Sequence, residues 1–266
     1  MTLDAALAGR LAQMVRAADP DRYFAALFAP ADVRPLLFAL YAFNHEAARV
    51  AETVREPMLG AIRLEWWRET VEAASKGSPR RHDVAEGLAA LFAARPVALS
   101  DFETLIGARG FDSTAEQFAD FAALEDYLDA TGGTLMRLAA AVLGGAPPAR
   151  DAALAYGLTG LLRSLPFHNA RHKLYLPQAL LAALGLTAEE FFVLKNDERI
   201  TAAMHQTALR AFDHFRAARR EPRPRAALPA LLPAALVPLY LRRLGRDVPI
   251  HRRQMALLGA AVRGRI

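Results

Sequence analysis

The chain has 266 residues, 53% of them hydrophobic and 23% charged, and it contains no cysteine. That composition suits a globular chain with a large buried core, and it excludes disulfides, thiolate metal sites and cysteine nucleophiles. The net charge is +5, but twelve Arg against Glu221 and Asp247 put residues 216–266 at +10 and residues 1–215 at −5.

A basic end of this kind suits nucleic acid, anionic lipid or an acidic protein. No Gly/aromatic RNA-binding signature or zinc-finger spacing accompanies it, which argues against nucleic acid. Thirty of the thirty-three cations are Arg, and compositional bias in the gene explains that as readily as function does. Only His168 and His172 lie close together among the histidines, which argues against a zinc site built from neighbouring ligands.

The opening segment is expected to be an amphipathic helix with Leu3, Leu7, Leu11 and Met14 on one face rather than a secretory leader. Ala31–Val54 repeats apolar positions at three and four, with Pro35 near its start. Pro57 opens a helix over Met58–Ala74, whose apolar face includes Leu59, Ile62, Trp66 and Val71. Ser100 with Glu103, and Thr187 with Glu190, have the capping-box pattern. Thr114–Leu143 reads as one long helical segment broken or bent at Gly132-Gly133. Ala149–Leu165 follows, stopped by Pro166, and then Asp197–Arg220, Arg225–Arg243 and Ile250–Val262. The apolar run Leu228–Leu241 would reach about 21 Å as a helix, short of a bilayer core of about 30 Å. Pro229, Pro233 and Pro238 interrupt it, so it is expected to be a buried core helix.

Strand-like alternation is absent, no internal repeat is visible and the connections are short. The expectation is one all-α domain over residues 1–266, with Glu221–Arg225 too short a hinge to divide it.

Three collinear segments carry more: DPDRYFAALFAPADVRPLLFALYAFNHEAARVAETV (19–54), DYLDATGGTLMRLAAAVLG (126–144) and GLTGLLRSLPFHNARHKLYLP (157–177). In this order and spacing they resemble the squalene/phytoene synthase family of head-to-head prenyl transferases, over about residues 15–245. The resemblance implies an isoprenoid synthase-like helical bundle around a central cavity. Family members ionise prenyl diphosphates with Mg²⁺ held by acidic pairs on two facing helices. Two carboxylates at i and i+4 share one helical face and so can share metals.

Carried onto this chain, the first acidic motif reads Ala48, Arg49 and Glu52, and the second reads Ser164 and His168, with Gly160 at its leading Asn position. Only Glu52 keeps a carboxylate, and Arg49 beside it competes with any cation. The phosphate-binding serines are replaced by Asp19 and Asp21. Ligand-binding expectations pass to Asp19, Asp21, Tyr41, His45, Arg163, Arg171, Lys173 and Tyr175. Arg163, Arg171 and Lys173 suit a phosphate or carboxylate; the bland alternative pairs Arg163 with Glu52 or another acid, and makes Tyr41 and Tyr175 packing residues. Acidic pairs elsewhere, Glu65/Glu69 and Glu116/Asp120, read as solvated faces, whereas Glu125/Asp129 precedes the Gly-Gly break and is a candidate for the pocket.

YAFNHEAARVAETV, IRLEWWRETVEA, LLRSLPFHNARHKLYLP and PLYLRRL are similar to a branch of the family that lacks the acidic motifs and includes a mitochondrial assembly factor for respiratory complex I. The resemblance implies a pseudoenzyme acting in assembly of the NADH dehydrogenase, with complex I subunits or assembly intermediates as partners. It would be cytoplasmic and peripheral on the inner membrane, with an isoprenoid or lipid ligand in its cavity and no cofactor. The enzymatic alternative is a Mg²⁺-dependent prenyl transferase with metal ligands moved to Asp19, Asp21 and Glu52. A third reading is a peripheral lipid-binding module that meets an anionic membrane surface through the basic end.

Overall fold

Side-chain caps and prolines account for most helix starts in the computed structural model, which describes residues 3–54, 56–194 and 197–266. Helix α1 (Ala5–Ala18) starts where Asp4 accepts from Leu7 N at 3.3 Å. Helix α2 (Pro20–Ala26) starts where Asp19 accepts from Arg22 N at 3.0 Å, with Pro20 in the first turn. The segment 31–54, expected as one helix, is two: α3 (Arg34–Ala48) and α4 (Val50–Thr53). Around Arg49 the ladder tightens, and Glu52 N donates to Arg49 O at 2.9 Å, three residues back.

Helices α5 (Pro57–Ser75), α6 (Asp83–Ala94) and α7 (Leu99–Arg109) follow. The Ser100 capping box does not form. Ala98 occupies the cap position, so Ser100 already lies inside α7, and its carbonyl accepts from the Thr104 hydroxyl at 2.8 Å.

Thr114–Leu143 is not one helix either. A 3₁₀ turn (Gly110–Ser113) leads through irregular chain to α8 (Phe121–Leu128), capped by Asp120, which accepts from Ala123 N at 2.9 Å. The bend at the glycine pair is a π turn (Asp129–Gly133), and α9 (Thr134–Val142) continues from it.

Helix α10 (Arg150–Asn169) runs through Pro166, which was expected to stop it. Pro166 forfeits one ladder hydrogen bond, but buried Leu162 and Leu165 hold the final turn against the core, and Ala170 N still reaches Pro166 O at 3.2 Å. Next come α11 (Gln178–Ala183), α12 (Ala188–Val193) and α13 (Glu198–Ala218). The Thr187–Glu190 capping box is reciprocal, at 2.9 and 3.1 Å.

The stretch 225–243 is broken by its three prolines into α14 (Leu228–Leu231) and α15 (Val237–Leu241), with 3₁₀ turns before each. Its apolar run 228–241 is mostly buried, as its composition requires, while Arg225 and Arg242 at its ends are exposed. Helix α16 (Ile250–Arg263) ends at Gly264, whose φ of +67° favours glycine. Among the described residues there is no strand, and no helix is long and apolar enough to cross a membrane.

Helix α3 lies at the centre with nine buried side chains. Phe43 on it packs against Trp67 of α5 and Phe102 of α7, with ring centroids 5.7 and 5.3 Å away. Gly87 lets α6 approach α3, since a Cβ there would lie 2.9 Å from that of Ala39. The C-terminal ends of α3, α7 and α10 surround one cleft, which is where the candidate site lies.

Candidate functional site

The cleft has a volume of about 820 Å³. Ala48 from the end of α3 and Glu52 from α4 form one wall, and His168 from α10 with Arg171, Lys173 and Tyr175 just beyond it forms another. Arg109, Asp112 and Tyr127 make the floor. Three of the five positions assigned to the acidic motifs therefore share one cavity. Arg49 points away and pairs with Glu46 at 3.3 Å, and half-buried Ser164 is not part of the lining.

Asp112 organises the floor. Its Oδ1 accepts from Tyr127 Oη at 2.6 Å and from Tyr175 Oη at 2.8 Å, while Arg109 Nη1 lies 3.3 Å from Oδ2. Burial pushes both phenols above their ordinary range, and the neighbouring carboxylate adds to it, so both stay protonated donors. Burial works to lower the Arg109 guanidinium, but Tyr127 and Asp112 outweigh it and hold its pKa above the ordinary value.

Lys173 is also occupied, because its ammonium donates to the carbonyls of Phe111, Thr114 and Glu116 at 2.9, 2.7 and 3.2 Å. Arg171 stacks over Phe167, 4.1 Å from the ring centroid. The His168 ring sits 4.8 Å from that of Tyr175, and burial lowers its pKa, with Asp112 pulling the other way. His172 closes this segment in the left-handed region, at φ 52°, which is uncommon for a residue with a side chain.

The remaining sequence-predicted residues gather elsewhere. Asp21, 4% exposed, accepts from Tyr156 Oη at 3.0 Å, from Tyr240 Oη, and from Arg253 Nη1 at 3.1 Å. Arg163 stands 3.6 Å above the Tyr240 ring with Nη1 3.9 Å from Asp21. Its acidic neighbour is thus Asp21. Asp19 caps α2 and pairs with Arg22. Tyr41 is buried, its hydroxyl has no hydrogen-bond partner among the described residues, and burial raises its pKa. His45 is half-buried in the last turn of α3 and outside the cleft lining.

Glu125 and Asp129 do not face the cleft. Glu125 turns to α13, where it meets Arg210 and lies 3.0 Å from His214 Nε2, and Asp129 pairs with Arg137 at 2.6 Å and Arg150 at 2.9 Å. Burial works to raise Glu125, and its bonds to Arg210 and His214 outweigh it. Glu65 and Glu69 pair with Arg68 and Arg80 on a solvated face.

Sequence reasoning missed Arg109, Asp112, Tyr127, Tyr156 and Arg253. Each lies outside the three collinear segments or at an unmarked position within one. A second, apolar groove of about 520 Å³ beside the cleft, lined by Leu59, Ile62, Trp66 and Trp67, was legible only as a helix face.

Comparison with known proteins places this geometry. Residues 15–257 match the family model described as squalene/phytoene synthase. The chain is 27% identical over 241 residues to NADH dehydrogenase (ubiquinone) complex I, assembly factor 6 of Homo sapiens, covering 88% of this chain and 72% of that protein. It is 28% identical over 204 residues to presqualene diphosphate synthase of Rhodopseudomonas palustris, covering 74% and 72%. A squalene synthase from Alicyclobacillus acidocaldarius superposes with a TM-score of 0.74 at 17% identity, over 99% of this chain and 97% of that one. The architecture is the helical isoprenoid synthase fold, and the chain belongs to the squalene/phytoene synthase family.

Proposed function

We propose that this chain is a member of the family without prenyl transfer activity that serves in assembly of the respiratory NADH dehydrogenase, working as a peripheral protein at the inner membrane. The wall of the cleft carries this reading. Its carboxylates are Glu52, Glu56 and Asp112, and Asp112 already accepts from two phenols and faces Arg109.

A leaving diphosphate needs its developing charge neutralised, which in this family implies magnesium held through several carboxylates. Here the opposing walls offer alanine and histidine at Ala48 and His168. Among the described residues, no three His, Asp or Glu side chains form a group able to hold a metal ion. These residues do not fit a magnesium cluster.

The assembly half of the proposal rests on relatives. Several proteins named as complex I assembly factor 6, from Homo sapiens to Dictyostelium discoideum, align over 87–88% of this chain. The relative named presqualene diphosphate synthase supports the enzymatic alternative by name, but the cleft wall disfavours it. Deleting the gene in its host should lower the amount of assembled NADH dehydrogenase on native gels. The intact chain and Glu52→Ala should both restore it, and an unchanged complex in the deletion strain contradicts the reading.

A further inference from the structure

We propose that the arginine-rich end of the bundle is a docking surface for an anionic phospholipid bilayer. The argument starts from three side chains at the end of α13 and one just beyond α16. Arg216, Arg219, Arg220 and Arg265 line a common surface pocket of about 330 Å³, and all four are exposed. Among the described residues, Arg216 alone of the four has an ion-pair partner, the exposed Asp213 at 3.7 Å. Arg219 also spreads over the Phe215 ring at 5.8 Å. Four guanidinium groups lining one pocket repel one another, and among the described residues Asp213 is the one carboxylate paired with any of them.

Two apolar stripes run toward this cluster. On α16, Met255, Leu258 and Val262 follow the three-and-four spacing of one helical face and are 64%, 43% and 72% exposed. Leu257 and Ala260 anchor the opposite face in the core. On α13, Leu209 and Phe212 are 52% and 41% exposed and lie two turns and one turn before Arg216. An exposed stripe of large apolar side chains on a helix anchored by its other face has no folding role, and beside a cluster of cations it has the composition of an interfacial helix.

Charge selects the occupant. Residues 216–266 carry +10 while the rest of the chain carries −5, so the field is directional and this end turns toward a negative surface. A bilayer rich in anionic headgroups supplies distributed phosphates for the arginines and an apolar layer for Met255, Leu258 and Val262, and no single small anion supplies both. The surface lies apart from the cleft, with which it shares no lining residue. It gives the peripheral attachment in the assembly reading a definite location, and so deepens that reading, but it is tested without the respiratory complex.

The test is flotation of the purified full chain with phosphatidylglycerol-containing vesicles and with pure phosphatidylcholine vesicles. Binding to the anionic vesicles alone is expected. It should weaken as ionic strength rises from about 0.01 M to about 1 M, which shortens the screening length from about 30 Å to about 3 Å. Each Arg→Gln change in the cluster should weaken binding roughly fivefold, and the quadruple variant several hundredfold. Replacing all four by Lys should retain most binding, because the attraction is to charge. Met255→Asp with Val262→Asp should also release the protein from vesicles. Both positions are mostly exposed, and unchanged circular dichroism and melting temperature verify the fold.

No flotation at low salt overturns the proposal, as does binding that survives the quadruple Arg→Gln change. Loss with the arginine variants but not with the Asp variants overturns it too, because attachment then rests on headgroup charge alone and the apolar stripe of α16 takes no part in docking. If the arginine variants fail to restore assembled NADH dehydrogenase while native protein never floats, the partner is an acidic protein, and the assembly reading stands without this surface.

Discussion

Tyr175, just beyond α10, donates a hydrogen bond of 2.8 Å to Asp112 in the turn after α7, across 63 residues of sequence. This carboxylate of the cleft lining, its side chain 6% exposed, also accepts from Tyr127 and faces Arg109, and is a structural hub. A carboxylate that holds two protonated phenols and an arginine has little acceptor capacity left for a cation.

Asp112→Ala should be strongly destabilising, because it leaves Arg109 and two buried phenols without their acceptor. The expected cost is about 3–5 kcal/mol in urea unfolding. Asp112→Asn keeps the shape and one acceptor, and should cost about 1–3 kcal/mol. Equal and negligible losses for both would show that the hub does not hold the floor together.

The Asp21 network should grade in the same manner. Tyr240→Phe removes one donor to a carboxylate that keeps Tyr156 and Arg253, at a cost of about 1 kcal/mol. Asp21→Ala strands two phenols and Arg253 together and should cost about 3 kcal/mol or more. Thermal melts of the two variants at neutral pH measure the difference.

Burial lowers the His168 pKa in the folded chain. A group with a depressed folded pKa contributes stability above its unfolded value, near 6.5, and loses it as pH falls through the folded value. Native protein should therefore melt progressively lower from about pH 7 to about pH 5, before the carboxylates titrate. His168→Gln should narrow the gap between melting temperatures at those two pH values. An unchanged gap would place the sensitivity in another group.

Two glycines should respond to alanine with opposite signs. A Cβ on Gly87 would meet Leu11 Cδ1 at 2.8 Å and Ala39 Cβ at 2.9 Å, so Gly87→Ala should destabilise by about 1–2 kcal/mol. Gly107, exposed on α7, has nothing within 4 Å of that position. Gly107→Ala should stabilise by up to about 1 kcal/mol through helix propensity alone. Chemical denaturation of both variants reads the signs directly.

Periodicity made the helices legible, because each buries a face against a neighbour, and it placed α5, α13 and α16 to within a residue or two. It failed where local chemistry and tertiary packing disagree. Pro166 looks like a stop, yet buried Leu162 and Leu165 carry α10 past it, and Ser100 has the pattern of a cap but lies inside α7. Motif order brought Ala48, Glu52 and His168 to one cleft. Asp112 was invisible because its partners, Tyr127 and Tyr175, come from distant segments and only the folded chain assembles them. Asp21 stood out in sequence as a carboxylate in a phosphate-binding position. Its burial beneath Tyr156, Tyr240 and Arg253 depended on α15 and α16, which no local pattern connects to α2.

Whether this cleft can ionise an isoprenoid diphosphate is decided most directly by incubating the purified protein with farnesyl or geranylgeranyl diphosphate and Mg²⁺ and measuring released pyrophosphate. Release should be no faster than in a protein-free control. Sustained turnover that Glu52→Ala abolishes would contradict it and identify the chain as a working prenyl transferase.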